Sequence, residues 1–447
     1  MHKRLNIIAS ALLLIAFVIS GLPGQKQASA TVPGTNYLAS KDASGNAANG
    51  ISSAGIHSVS GDGRYVVFSS SATNLIPSDT NGSVSDVFRK DTQTGAVVLV
   101  SQSSSGVQSS SWSGSAAVSY DGRYVVFLGS GLVSTETSVV YLRDITSGTT
   151  IIASKTSAGV VGRADSPDLS ADGRYVVFSS VDTTLTTPPA GSTVSVINSR
   201  QALIKDMLTG TLTKLSGNAI GDSIYPSMDC DGHTVAFVSG AWLGGGTPAN
   251  YDASHNIYNV YFAQIDGTSS HLTYATSMSS FSKAPAQISC NGNVVAYTDS
   301  PDVRTYDRLT KAYKTASVST GGTNTNQTVG NTVASISDDG RYVAYAAKAT
   351  NLDSSHAQTY KGSNYDIYVR DTKANTTQLV SFTALGYYSG LVPLPYVSTD
   401  TVPVSISPDG STIALVYATP NSTNTNGEFI SGLDTGQNDV YTSKTGF

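Results

Sequence analysis

The stretch Ser60-Gly61-Asp62-Gly63-Arg64-Tyr65-Val66-Val67-Phe68 decides the fold, because the chain keeps returning to it. It recurs as Ser119-Tyr120-Asp121-Gly122 before Arg123-Tyr124-Val125-Val126-Phe127, and again from Ser170 to Phe178. Looser copies follow at Asp229-Cys230-Asp231-Gly232, Ser289-Cys290-Asn291-Gly292, Ser337-Asp338-Asp339-Gly340 and Ser407-Pro408-Asp409-Gly410, making seven. The chemistry is that of a tight turn. Ser caps it through its hydroxyl, Asp or Asn suits the next-to-last position, and Gly takes the left-handed conformation that closes a hairpin. The residues after each Gly alternate and are β-branched or aromatic, as a well-buried second strand requires.

A third strand follows in every copy: Asp86 to Asp91, Val139 to Asp144, Gln201 to Asp206, Asn259 to Asp266, Val303 to Asp307, Asp366 to Asp371 and Asp439 to Lys444. All but the last end in Asp. A turn such as Asp91-Thr92-Gln93-Thr94-Gly95 then leads to a fourth strand. Four strands per repeat make one propeller blade, so the expected fold is all-β: a seven-bladed β-propeller of four-stranded antiparallel blades over residues 31–447. The seventh copy ends at Phe447, one strand short. Leu38-Ala39-Ser40-Lys41 matches the fourth strand Ile152-Ala153-Ser154-Lys155, so residues 35–41 are expected to pair with 439–444 and close the ring.

Residues 1–30 read as a separate object. A basic start (His2, Lys3, Arg4), an apolar run from Leu5 to Leu22 and Ala28-Ser29-Ala30 fit a secretory signal peptide cleaved near Ala30. Asn6, Ser10, Ser20 and Gly21 interrupt the run, which disfavours a membrane anchor. The expected destination is outside the cytoplasm, as a secreted, cell-surface or periplasmic monomer with no membrane span after cleavage. The chain carries a net charge of −5, and the leader takes Lys3, Arg4 and Lys26 but no acidic residue. No basic block remains to follow a phosphate backbone, so nucleic acid is not an expected partner.

The Ser-x-Asp-Gly-x-x-(Val/Ile)-(Val/Ala)-(Phe/Tyr) block resembles the repeat of the TolB-like, WD-like bacterial propellers over about residues 35–447, most closely from Ser407 to Leu415. The resemblance implies the fold and little about function, since propellers bind, scaffold and catalyse. TolB-type proteins carry an α/β domain before the propeller. Only a few residues separate the expected cleavage site from the closing strand here.

The candidate sites are sparse. Asp79, Asn81, Ser83 and Asp86 alternate oxygen donors around Gly82, like the start of a calcium loop, but no bidentate Glu completes it. The alternative is a polar turn, and no cofactor is required. Asn351, Asp353 and Asp366 echo the pattern. Cys230 and Cys290 hold equivalent positions in adjacent blades, and a disulfide between them needs Cα atoms within about 7 Å, which equivalence alone does not guarantee. The insertion from Gly240 to His255, with Trp242 and Tyr251, is the favoured contact surface. His57 lies on an inner strand, as a structural histidine or one facing the channel. Ser58, Ala117, Asp168, Ser227, Gln287, Ser335 and Ser405 share one inner-strand position and could line that channel, but so small and neutral a set reads more as packing near the axis than as a reaction centre.

No His-Glu-x-x-His or Gly-x-Ser-x-Gly is present. The expectation is a non-catalytic, secreted propeller that binds another protein or a cell-surface polymer. The alternative is an extracellular polysaccharide lyase or hydrolase using a propeller pocket. A pocket holding His with two or more carboxylates or Arg from different blades would favour the enzyme, and a Ser- and Ala-lined channel would favour binding.

Overall fold

The structure is a computed structural model describing residues 36–186, 199–216, 221–240, 243, 258–266, 269–277, 284–327, 329, 333–353, 365–381, 404–418 and 438–446. Residues 1–30, Trp242, Tyr251 and His255 lie outside the described residues.

Among the described residues, seven four-stranded antiparallel sheets account for almost all the regular structure, with a single helical turn at Thr183–Thr186. In the first blade the strands are Ser52–Ser53, Tyr65–Ser70, Asp86–Asp91 and Val97–Leu99, running from the axis outward. Their order in space is their order in sequence. The middle strands are buried on both faces, as Val66, Val67, Phe68, Val87 and Phe88 show. The core therefore lies between blades: Val67 and Val87 of the first pack with Val125, Phe127 and Tyr141 of the second.

Each Ser-x-Asp-Gly turn is held by its own side chains. Ser60 Oγ donates to Asp62 Oδ1 at 2.8 Å and accepts from the N–H of Tyr65, while the Arg64 N–H donates to the same Asp62 oxygen. The Ser hydroxyl makes the same two bonds from Ser119, Ser170, Ser289, Ser337 and Ser407. In the fourth blade Asp229 stands in for Ser, and the His233 N–H donates to Asp229 and Asp231. The closing glycine is required twice over. Gly122 sits at φ +75°, and a Cβ there would lie 2.1 Å from the ring of Tyr65 in the preceding blade.

The terminal Asp of the third strand now has a reason. Arg64, Arg123, Arg174 and Arg341, each just after a turn glycine, pair with Asp91, Asp144, Asp206 and Asp371 and lie over the ring of the following Tyr. Such partly exposed pairs add little stability individually. They fix the Tyr against the next blade's Gly.

The seven turns are joined into a belt. The N–H of Gly61 donates to the carbonyl of Tyr120, Tyr120 to Ala171, Ala171 to Cys230 and Cys230 to Cys290. Asn291 continues to Asp338, Asp338 to Pro408, and Asp409 returns to Gly61, all at 2.8–3.3 Å. Pro408 has no N–H, so its neighbour donates in its place.

The ring closes as the repeat predicts. Asn36–Leu38 pairs antiparallel with the last strand in the register Asn36↔Ser443, Tyr37↔Thr442, Leu38↔Tyr441. Ser40 then performs a task that recurs after the outer strands. Its Oγ accepts from the Val440 N–H and donates to Asp439 at 2.7 Å, as Ser101 does with Val87 and Asp86. Among the described residues Ser40 is the one side-chain donor to Asp439, whose Oδ2 is buried without a partner. Replacing Ser40 with Ala should therefore cost about 1–3 kcal/mol, the loss expected when a buried polar group is orphaned. Chemical denaturation checks this, and an unchanged midpoint would show that closure does not rest on this contact.

Candidate functional site: an axial pocket

The residue immediately before each turn Ser, or before Asp229 in the fourth blade, points to the axis. Val59, Val118, Leu169, Met228, Ile288, Ile336 and Ile406, one from every blade, wall a small pocket of about 50 Å³. One residue earlier on each inner strand, Ser58, Ala117, Asp168, Ser227, Gln287, Ser335 and Ser405 are buried as packing beside the axis and do not line the pocket, because side chains alternate along a strand. Several tie blades together. The Met228 N–H donates to Asp168, Ile288 to Ser227, Ile406 to Ser335 and Ser58 to Ser405, at 2.9–3.2 Å.

The mouth of the pocket is the belt. Tyr120, Ala171, Cys230, Cys290, Asp338 and Pro408 line it, and the ring of Tyr120 covers Gly61, where a Cβ would come within 2.4 Å of it. Turns hydrogen-bonded to one another stand about 4.8 Å apart. Seven such links give a ring with Cα atoms about 5.5 Å from the axis. The same spacing settles the cysteines. Cys230 donates its N–H to Cys290, the Cα atoms are 4.6 Å apart, and the two side chains form a disulfide.

Besides Tyr120, the ionisable side chains lining this space are His57 and Asp338. His57, at φ +50°, donates its Nδ1–H to Asp168 Oδ1 at 2.8 Å, reaching from the first blade to the third. Burial would lower the imidazole's pKa, but the charge and hydrogen bond of Asp168, with the charge of Asp338, more than offset it and raise it. Asp338 is half-buried. Burial and the neighbouring Asp409 charge push its pKa up to about 6, against the opposing pull of His57. The arrangement matches neither expected pattern: the wall is aliphatic, and of the two carboxylates near His57 only Asp338 reaches the pocket. Ligand atoms of Cys230, Cys290 and Asp338 lie within 4.8 Å of one another. With both sulfurs spent in the disulfide, Asp338 is the hard donor left in that group.

The Asp79–Asp86 segment takes the form of a polar turn. Asp79 Oδ1 accepts the N–H groups of Asn81 and Gly82 and the side-chain amide of Gln108. Asp86 accepts from Asn81, Gln108 and Ser101. Ser83 is exposed outside this set, and Asn81 Oδ1 is buried without a hydrogen-bond partner among the described residues. Sequence reasoning passed over Tyr120 and Asp338 because each stands at the x of Ser-x-Asp-Gly. That position's variability, against the constancy around it, is the signal that points to them.

Buried carboxylates recur elsewhere. Burial raises Asp439 to about 6 and Asp366 to about 7, only partly countered by the Ser40 and Ser381 hydroxyls. These groups, with Asp338 and His57, bind protons more tightly folded than unfolded, so their contribution is full at low pH and is lost as pH rises through 6 to 7 and beyond. Asp91 behaves oppositely. Burial would raise it, but Arg64 and the turn amides hold it at about 2, and its contribution is lost only as pH falls below the ordinary carboxylate range. The melting temperature should therefore be higher at pH 5 than at pH 8 and fall again below about pH 4. Calorimetry across that range tests this, and Asp366→Asn should flatten the rise.

No family model and no curated protein sequence matches the chain. Among solved structures, TolB from Acinetobacter baumannii is 17% identical over 66% of this chain, with a TM-score of 0.37; the match spans 58% of the TolB chain. An oligogalacturonate lyase from Vibrio parahaemolyticus is 13% identical over 88% of this chain and 91% of its own, with a TM-score of 0.51. At that identity the likeness is one of fold. By fold the chain is a seven-bladed β-propeller, as its TolB-like repeat implies.

Proposed function

We propose that the protein is an exported, non-catalytic binding module that holds another protein or a cell-surface polymer on the rim opposite the hairpin belt. The observation that carries this is the placement of exposed apolar side chains. In an antiparallel blade the first hairpin and the third-to-fourth turn lie at one end, and the second-to-third and blade-to-blade connections lie at the other. Ile51, Val107, Trp112, Val133, Val160 and Val181 are all exposed, and all sit on connections at that second end in the first three blades. The belt end exposes Tyr120, Leu208 and Leu309, so what favours the opposite rim is the larger number of such side chains there. Val107 and Val160 occupy equivalent hairpin tips, braced by the bridges Gln102↔Gln108 and Lys155↔Val161, so the surface is carried on ordered turns.

Export rests on the leader-like residues 1–30, and no helix among the described residues is long and apolar enough to cross a membrane. The loop holding Trp242, Tyr251 and His255 follows the fourth blade's second strand in sequence and lies outside the described residues.

A second reading, an enzyme working in the axial pocket, is favoured by the His57–Asp168 pair beside Asp338. The aliphatic wall and narrow mouth suit a polysaccharide chain poorly, since sugar recognition needs many polar partners. The two readings separate experimentally. Capture from the native cell surface with the mature protein should recover a partner, and Val107→Asp with Val160→Asp should abolish recovery while leaving the melting temperature unchanged. Recovery of nothing, or recovery indifferent to these changes, counts against the rim. Turnover of an extracellular polysaccharide that His57→Gln abolishes would establish the enzyme.

A further inference from the structure

We propose that the axial pocket is a binding site for a small organic cation, a primary ammonium on a short aliphatic or single-ring body. The site lies at the opposite end of the propeller from the rim, so it stands or falls independently of partner capture.

The wall sets the body of the ligand. Seven aliphatic or thioether side chains, from Val59 to Ile406, offer apolar contact on every side and no hydrogen bond, so the part they enclose must itself be apolar. The belt sets its width. With Cα atoms about 5.5 Å from the axis and Tyr120 and Pro408 projecting at the mouth, an alkyl chain or one ring passes and a polymer does not.

The charge sets its polar end. Asp338 lines the pocket, and its carboxylate accepts no hydrogen bond from any described residue. His57 does not neutralise it, because the imidazole is already paired with the buried Asp168. Asp409, from the seventh blade's turn, adds negative potential beside it, and no Lys or Arg lines the pocket. An anionic ligand would meet unopposed carboxylate. A hard divalent ion would find too few oxygens, since the adjacent sulfurs form the disulfide. An ammonium group supplies donors to the unpartnered carboxylate and the charge the pocket lacks.

Binding of this kind depends on pH in a fixed sense. The groups facing Asp338 are Asp409 from the seventh blade, His57 from the first, Tyr120 from the second and Asp339 of its own turn. With Asp338 near 6, acidification protonates the acceptor and charges His57, and both weaken the hold on a cation.

The test uses the mature protein with n-pentylamine, n-pentanol and n-pentanoate, measured by calorimetry or by NMR titration. The amine, fully protonated below pH 9, should bind at least ~10-fold more tightly than the alcohol or the acid at pH 7.5, and should lose ~10-fold between pH 7.5 and 5. Asp338→Asn should bring the amine down to the affinity of the alcohol and leave the alcohol unchanged. The belt should survive this change, because Asp338 enters it through backbone N–H and C=O alone. Equal affinities for amine and alcohol, an amine affinity indifferent to Asp338→Asn, or saturation by none of the three would overturn the proposal.

Discussion

Seven backbone hydrogen bonds running head to tail around the axis impose a condition on every blade at once. Each turn must present an N–H to one neighbour and a carbonyl to the other, so all seven must share one backbone shape at one height. The Ser hydroxyl and the Asp carboxylate deliver that shape from within each turn, and the glycine permits it. Where the sequence departs from the pattern the belt adapts locally. Pro408 hands its donor role to Asp409, and the fifth turn donates from Asn291. What the belt leaves free is the side chain at the second position of each turn. Gly61, Tyr120, Ala171, Cys230, Cys290, Asp338 and Pro408 are chemically unlike one another because the backbone does their structural work.

A second circuit of contacts runs outside the first and has a direction. Each blade reaches forward to the next blade's turn glycine: Tyr65 to Gly122, Tyr124 to Gly173, Tyr175 to Gly232, Thr234 to Gly292, Val294 to Gly340, Tyr342 to Gly410 and Thr412 to Gly63. The rings that do this are steadied by Arg–Asp pairs. Blades lacking the Tyr use smaller side chains for the same contact, so bulk against glycine is the conserved physics and the aromatic ring is one way to supply it. Because the circuit is directional, the seventh blade must meet the first for either to be covered.

The parts of this fold that were legible in the sequence are those governed by local rules. Turn chemistry identified the hairpins, alternation identified the second strands, and the likeness of Leu38-Ala39-Ser40-Lys41 to Ile152-Ala153-Ser154-Lys155 identified the closing strand. The reason for that likeness, the hydroxyl shared by Ser40 and Ser154, needs the third strand brought alongside. The pocket was nearly legible. The inner-strand set was aligned correctly and read as packing near the axis, while its neighbours on the pocket wall were not picked out; in three of those strands bulges at Ser115, Ser166 and Tyr225 put in positive φ angles and break simple alternation. The His57–Asp168 pair joins blades that are not neighbours, and no local pattern announces it. The disulfide became readable only once the belt set the distance between adjacent turns.

The Ser40–Asp439 contact joins residues 399 positions apart, and it lies in the one sheet built from both ends of the chain. During synthesis the strand at residues 36–38 emerges early and has no partner until almost the whole polypeptide has followed it. Closing a loop of that size carries the largest entropic cost of any pairing in the molecule, so it comes late. A chain cut short anywhere before residue 438 would retain an unsatisfied strand edge at each end of an open arc, the kind of edge that invites aggregation. The ring is therefore sealed only in a molecule in which residues 36–38 and 438–444 are both present.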